Sequence, residues 1–448
     1  MFNCLRKSAL FLSGCLCLSY FSCSPSLEYK KYIDNPNLYA QTVHELNKVV
    51  MGNNFSPVVS SRNYTYAAIA SYEVIALAYP DKYQSLVGQL HGLNQKPNIK
   101  LNPLADVDLA SILAYIKVGE AVTFPEGSLK DYRDGILKKA SDMGLPQKVA
   151  EASQELADSV GITILRWTKK DNYLQTRSAE KFMVNENIPG RWVPTPPAYT
   201  QAVEPHWNTI RTLVIDSPNQ FKAKPSIPFN IKDTNGAYYK EVKMLIDTTK
   251  NLTEDEKHMA NFWDDNPGKL NVSGHVMFIN KKFSPTGHWM SVACIASKTA
   301  NADFPTTVYA VTKTAIAYFD AFIQCWDTKY GYATIRPESV INKYIDLEWR
   351  PLLQTPPFPE YTCGHSTISA AASEALTSIF GNHFSYTDST ELEFGIANRK
   401  FTSFRQAAME NAKARFYGGI HFHYSCLEGN RCGTLIGDLI VKRLKMKK

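Results

Sequence analysis

Apolar residues recur at helical spacing through most of this chain, and few segments alternate as strands do. Residues 308–326 form one long run of this kind. Residues 66–76, 106–118 and 147–167 show the same period, and the small residues of 66–76 suit close helix packing. Thr253-Glu254-Asp255-Glu256 is a capping box at the start of a helix carrying Met259, Phe262 and Trp263. Residues 366–380 predict a helix stopped by Gly381, and 403–415 one ended by Gly418-Gly419. A last helix over 427–445 would turn Leu435, Ile436, Leu439 and Ile440 inward. The fold class that follows is all-α, a set of packed helical bundles.

The chain divides by composition. Arg6 and Lys7 precede an apolar stretch over residues 9–21 that is too short for a comfortable membrane span. Residues 1–22 therefore read as a signal peptide, with Cys23 as the lipidated first residue of an exported lipoprotein. Cys15 after Leu12-Ser13-Gly14 is the alternative lipid site, and a plain cleaved signal is the other reading. Residues 23–185 form an N-terminal helical region. Residues 186–236 hold eight prolines with aromatics between them and read as a loop or strap lying over something. Residues 237–448 form the C-terminal helical domain. Its tail, residues 442–448, reads as a solvated basic helix end.

Charge excludes one class of partner. Loss of residues 1–22 would lower the formal charge of +7 by two, too weak a balance to imply nucleic acid. Beyond Cys23 the cysteines are Cys294, Cys325, Cys363, Cys426 and Cys432, an odd, dispersed set that does not read as a disulfide framework. A bridge between Cys426 and Cys432 stays open. The sequence is silent on oligomeric state.

Three clusters carry chemistry. They are Lys329-x6-Arg336-Pro337, the run from Pro356 through Phe358 and Glu360 to Cys363-Gly364-His365, and Arg415-x5-His421. Singly, each reads more readily as surface charge, a helix start or a satisfied core histidine. Together they supply three cations, a backbone freed by glycine and two histidines, which is what a bound oxyanion requires. Arg336 and Arg415 can each direct two N–H donors at tetrahedral oxygens, and Lys329 adds a point charge. Gly364 lets backbone approach closely, and His365 stands where helix amides point at an anion. One histidine can bond to the central atom while the other moves protons. His421-x-His423 lacks the carboxylate or thiolate partners of a divalent-metal pair.

These motifs resemble a superfamily patterned Lys-x6-Arg-Pro, Pro-Ser-Gly-His and Ser-Arg-x5-His-x3-Asp. It contains vanadium-dependent haloperoxidases and type-2 phosphatidic-acid-phosphatase-like acid phosphatases. The approach Pro356-Pro357-Phe358-Pro359-Glu360-Tyr361, with Phe262-Trp263 and Gly287-His288-Trp289 upstream, looks like the haloperoxidase branch, and among exported bacterial members like iodoperoxidases. The resemblance implies an active site in a C-terminal four-helix-type bundle, with orthovanadate as cofactor and hydrogen peroxide and halide as partners. Iodide is the favoured halide and bromide the second. His421 would coordinate vanadium. Lys329, Arg336, Cys363, Gly364 and Arg415 would hold its oxygens. His365 would be the acid–base residue, and Lys329 would also polarise peroxide. Trp326, Phe358, Trp263 and Tyr361 are candidates for the halide side, though ordinary core is the blander reading for each.

The alternative is an exported acid phosphatase or phosphotransferase with His421 as nucleophile. A third reading is an anion-binding protein without turnover. It draws on two departures from the pattern: Cys363 stands where serine is usual, and Ser425 where an aspartate normally orients the histidine. Ser425, Glu428 or His423 would have to supply that orientation. Ala414 in place of the motif's serine is a smaller change.

Overall fold

A computed structural model describes residues 28–273 and 275–448, with the side chains of 271–273 and Met277 left aside. The leader and Cys23 lie outside the described residues. Fifteen α-helices occur among the described residues, with two short hairpins. In chain order they are α1 (Glu28–Ile33), α2 (Pro36–Gly52), α3 (Pro57–Ala78), α4 (Val107–Ala121), α5 (Lys130–Asp142), α6 (Gln147–Thr168), α7 (Tyr173–Arg177), α8 (Ala237–Lys250), α9 (Glu254–Phe262), α10 (Pro285–Thr299), α11 (Phe304–Tyr332), α12 (Pro337–Tyr344), α13 (Gly364–Phe380), α14 (Phe404–Tyr417) and α15 (His423–Arg443). Antiparallel β1 (Lys269–Ser273) and β2 (Val276–Asn280) pair, as do β3 (Tyr386–Asp388) and β4 (Arg399–Phe401). Among the described residues no helix is long and apolar enough to cross a membrane.

Local chemistry sets the helix ends. The capping box forms at α9, with Thr253 and Glu256 satisfying each other's backbone donors. Prolines open α2, α3, α10, α11 and α12, where a missing N–H costs nothing. Helix α11, 29 residues long, is the central post and is buried over most of its length. Ala333 ends it in a left-handed conformation (φ 48°), its N–H donating to Lys329 O at 2.7 Å. The reversal returns the chain so that Arg336, just before α12, lies near Lys329.

One hydrophobic core runs from Tyr29 to Met446 and takes in residues of both halves of the chain. Helix α3 packs on α4 and α11, and α13 packs on α11, α14 and α15. A second core, with Val242, Ile341, Ala412 and Phe422, lies under the site. Helices α13 and α15 approach closely because Gly429, Gly433 and Gly437 face α13. A Cβ on Gly433 would stand 2.0 Å from Thr367 O.

Residues 186–236 contain no α-helix, only a short turn of 3-10 helix at Trp207–Thr209. They are anchored to α11. Asp320, fully buried, accepts the N–H groups of Leu213, Val214 and Ile215 at 2.7, 2.7 and 2.9 Å. Burial raises the Asp320 carboxyl to about 6 against those bonds. Further on, Tyr330 donates to Val203 O at 2.5 Å, and Val203 N donates to Pro357 O at 3.0 Å.

Three expectations are corrected here. In α15, Ile436 and Ile440 are buried, but Leu435 is exposed and Leu439 only half-buried, because the glycine face takes the closest packing. The tail does not float in solvent. Helix α15 ends at Arg443, Met446 is buried, and its carbonyl accepts from Tyr72 Oη and Gln84 N. Cys426 and Cys432 form no bridge: all five cysteines among the described residues are free and buried.

Candidate active site

The site forms where the ends of α11, α13, α14 and α15 meet the loop 356–363. Lys329 lies in the last turn of α11, wholly buried. Its Nζ donates to Pro359 O at 3.0 Å and Glu360 O at 2.9 Å. The ammonium has a third donor to offer. Burial pulls Lys329 down to about 8, and Arg336 adds to the pull. Arg336 is also wholly buried. Its Nε donates to Phe358 O at 2.8 Å and its Nη1 to Ile420 O at 2.8 Å, while its Nη2 is buried with no partner. Arg415, in the last turn of α14, donates through Nη1 to Trp263 O at 2.7 Å, and its Nε has no partner.

His421 sits in the turn between α14 and α15. Its Nδ1 lies 2.8 Å from Glu360 Oε1, which also accepts Phe422 N–H at 3.1 Å. The carboxylate demands a proton on Nδ1. That leaves Nε2 with its lone pair, aimed at Arg336 Nη1 at 3.1 Å. Cys363 caps α13, with Gly364 and His365 as its first two residues. Burial and then Arg415 hold His365 well below the usual imidazole range, so it is neutral and able to accept a proton. His365, Arg415 and Asp265 reach a cavity of ≈ 280 Å³ whose outer wall is Phe55, Pro196 and Pro357.

The family model of the VCPO second helical-bundle domain matches residues 309–447. A solved bacterial vanadium-dependent iodoperoxidase shares 39% identity over 92% of this chain and 97% of its own, with a TM-score of 0.86. The chain belongs to the vanadium-dependent haloperoxidases. A bacterial vanadium-dependent chloroperoxidase shares the fold at 17% identity, in its holo and apo forms alike. The matches cover 87% of this chain and 93% and 94% of those, each with a TM-score of 0.64. No curated protein matches the chain.

The donor set of this haloperoxidase fits vanadate. Buried, partnerless N–H donors on Arg336 and Arg415 are costly unless an acceptor arrives. Three cations, the first-turn amides of α13 and one imidazole lone pair are the partners of a tetrahedral oxyanion with a ligatable centre.

The sequence reading placed Lys329, Arg336, Cys363, Gly364, His365, Arg415 and His421 at this site, and the structure gathers all seven. The substitutes named for the missing aspartate are corrected. Ser425 Oγ is buried without a partner, Glu428 pairs with Arg431, and His423 packs its ring on Phe416. The carboxylate on His421 is Glu360, an acid in an apolar, proline-rich run, a position that calls for a buried partner. Phe358 lines the cavity, whereas Trp326 lies behind it, ring centroids 5.0 Å apart. Trp263 stacks on His288, and Tyr361 donates to Lys224 O at 2.6 Å; neither lines the cavity. Asp264, Asp265 and Asp388 were not singled out by the sequence, and His288 was noted without a role. Asp265, His288 and Glu391 bring ligand atoms within 4.8 Å of one another, but an acidic cluster is no seat for an anion.

Proposed function

We propose that this haloperoxidase uses hydrogen peroxide to oxidise iodide, and bromide as second halide, to hypohalous acid on orthovanadate. The observation that carries the reading is His421, its Nδ1 held by Glu360 and its Nε2 lone pair turned to Arg336 Nη1 at 3.1 Å, beside two arginines with unmatched donors. Iodide is favoured because the iodoperoxidase is the more similar of the two compared enzymes.

In this reading vanadate, when bound, supplies a Lewis-acid centre of fixed oxidation state that activates peroxide towards halide. His421 Nε2 is its ligand. Lys329, Arg336, Arg415, the Gly364 amide and the Cys363 thiol hold its oxygens. His365 takes and returns the proton of incoming peroxide, and the Lys329 ammonium stabilises charge on the departing oxygen. Phe358 gives iodide a polarisable, apolar wall.

The test is purification without phosphate, reconstitution with vanadate, and triiodide formation with peroxide. Bromide is then compared through bromination of a dye, with phosphomonoester hydrolysis by the vanadate-free protein in parallel. Halide oxidation that needs vanadate, and loss of retained vanadium in His421→Ala, are the expected results. Phosphate release without halide oxidation would overturn the assignment. We further propose export with lipid at Cys23, which mass spectrometry of the membrane-extracted N-terminal peptide would test.

A further inference from the structure

The reaction proposed above takes up a proton. Halide, hydrogen peroxide and one proton give hypohalous acid and water: the O–O bond breaks, an O–halogen bond forms, and halide passes two electrons to the peroxide oxygens. That proton must reach a site whose outer wall includes Phe55, Pro57, Pro196 and Pro357.

A buried polar chain leads away from His365. His365 Nε2 and Asp265 Oδ2, each buried without a partner, face each other at 3.9 Å. A small turn of the carboxylate would join them. Asp265 Oδ1 lies 2.8 Å from His288 Nδ1, and Asp388 Oδ2 lies 3.0 Å from His288 Nε2. Glu391 Oε1 lies 3.8 Å from the same Nδ1, and Glu391 Oε2 lies 2.9 Å from Lys282 Nζ. Asp265, His288, Asp388 and Glu391 are all buried. Lys282 opens onto a second cavity of ≈ 550 Å³ lined by His258, Asn261 and Lys269. The Trp263 ring stacks on His288 at 4.5 Å and Phe262 packs edge-on at 5.4 Å, so the imidazole is fixed.

Both nitrogens of His288 face carboxylates, so both carry protons. Burial opposes that charge, but Asp265 and Asp388 hold His288 well above the usual imidazole range. Burial likewise lifts Glu391 to about 7, where it exchanges protons near neutrality. A divalent ion on Asp265, His288 and Glu391 would need an imidazole lone pair, and none is spare. It would also have to displace Lys282 from Glu391.

We propose that Lys282, Glu391, His288 and Asp265 form a proton relay from the second cavity to His365, with Asp388 holding His288 in place. The proposal rests on the haloperoxidase reading. His288 Nδ1 gives its proton to Asp265 and is recharged from Glu391 at the same nitrogen. The Asp265 carboxyl, protonated on Oδ1, then rotates to bring that proton to His365 Nε2, and His365 releases one from its other ring nitrogen.

The test uses the vanadate-loaded enzyme with Glu391→Gln and His288→Gln. Vanadium content and the KM for peroxide should hold, while kcat falls at least about tenfold. Raising the concentration of a small acid such as imidazolium should restore kcat, a rescue that a merely structural role would not show. In vanadate-free protein labelled with nitrogen-15 histidine, His288 should show two protonated nitrogens, and His288→Gln should shift the His365 signals. Should His288→Gln fail to fold, Lys282→Met at the cavity edge carries the same kinetic expectation. Unchanged kcat, a loss that small acids cannot restore, a singly protonated His288, or a stoichiometric divalent ion on the cluster would overturn the relay. If the wild type oxidises no halide, the reaction assignment falls instead, and the nitrogen-15 signals still decide whether His288 and His365 are coupled.

Discussion

Replacing Glu360 should lower vanadate affinity by setting His421 loose. Two hydrogen bonds end on Glu360 Oε1, from His421 Nδ1 at 2.8 Å and Phe422 N at 3.1 Å. A bond to a charged group contributes about 1.5–3 kcal/mol. Loss of a carboxylate partner behind a ligating histidine typically lowers affinity about 10–100-fold, which corresponds to about 1.4–2.8 kcal/mol. Glu360→Gln keeps one acceptor oxygen and should sit near the lower bound. Glu360→Ala leaves Phe422 N unpaired and the imidazole free to take the other tautomer, so it should reach the upper bound. Equilibrium dialysis against vanadate, with bound vanadium measured directly, reads the effect. Glu360 Oε2 is buried without a partner, so Glu360→Gln leaves an unmatched amide there and should cost some stability, while the helical circular-dichroism signal of the vanadate-free protein should stay at the wild-type level. That separates loss of orientation from loss of fold. Ser425→Asp in the Glu360→Ala background should recover part of the affinity. If Glu360→Ala binds vanadate as tightly as the wild type, the orienting role is wrong.

Other expectations follow from single contacts. Cys363→Ser exchanges a weak donor for a stronger one and should raise vanadate affinity by up to about tenfold; it should also slow inactivation by peroxide, and faster inactivation would contradict this. Lys329, brought to about 8 by burial, is charged below that pH and neutral above it, so vanadate affinity should fall as pH rises through about 8. Folding stability shifts the opposite way: a lysine with a lowered folded value destabilises most at low pH, and the penalty fades as pH climbs from about 8 to the ordinary lysine value of 10.5. Lys329→Met should flatten both profiles, seen by dialysis and by thermal melts across pH. Gly433→Ala would force a Cβ to within 2.0 Å of Thr367 O, and overpacking of this kind costs about 1–3 kcal/mol. A melting temperature equal to the wild type would show that α13 and α15 have slack there.

The helices were legible because their determinants are local. Periodicity and caps place α3, α4, α6, α11, α13, α14 and α15 close to where they lie. What the sequence hid depends on a neighbour. Leu435 obeys the helical period, yet the face that packs on α13 is glycine, which periodicity counts as nothing. The tail looks soluble, and contacts from across the fold, such as Tyr72 on the carbonyl of Met446 and Lys448 N on Lys82 O, reveal that it docks. The site divides in the same way. Lys329 with Arg336, Cys363 with His365, and Arg415 with His421 are marked by short spacings. Glu360 meets His421 from 61 positions away, and His288 meets Asp265 and Asp388 from 23 and 100. No spacing announces such pairs; the signal available was an acid in apolar surroundings.

The loop 358–360 explains how the site manages without an aspartate at position 425. Phe358 O holds Arg336, while Pro359 O and Glu360 O hold Lys329. The Glu360 carboxylate holds His421. Three of the groups that must face one anion are thus aimed by three consecutive residues. Cys363 N–H, just beyond, donates to Ser425 O at 3.4 Å, tying the first turn of α15 to the start of α13. With the histidine's turn fixed by that backbone contact, its carboxylate need not come from α15. It needs only to come from something rigidly placed against His421, and a loop already pinned by buried cations meets that condition. The orienting charge can therefore move between elements while the chemistry at His421 Nε2 stays the same.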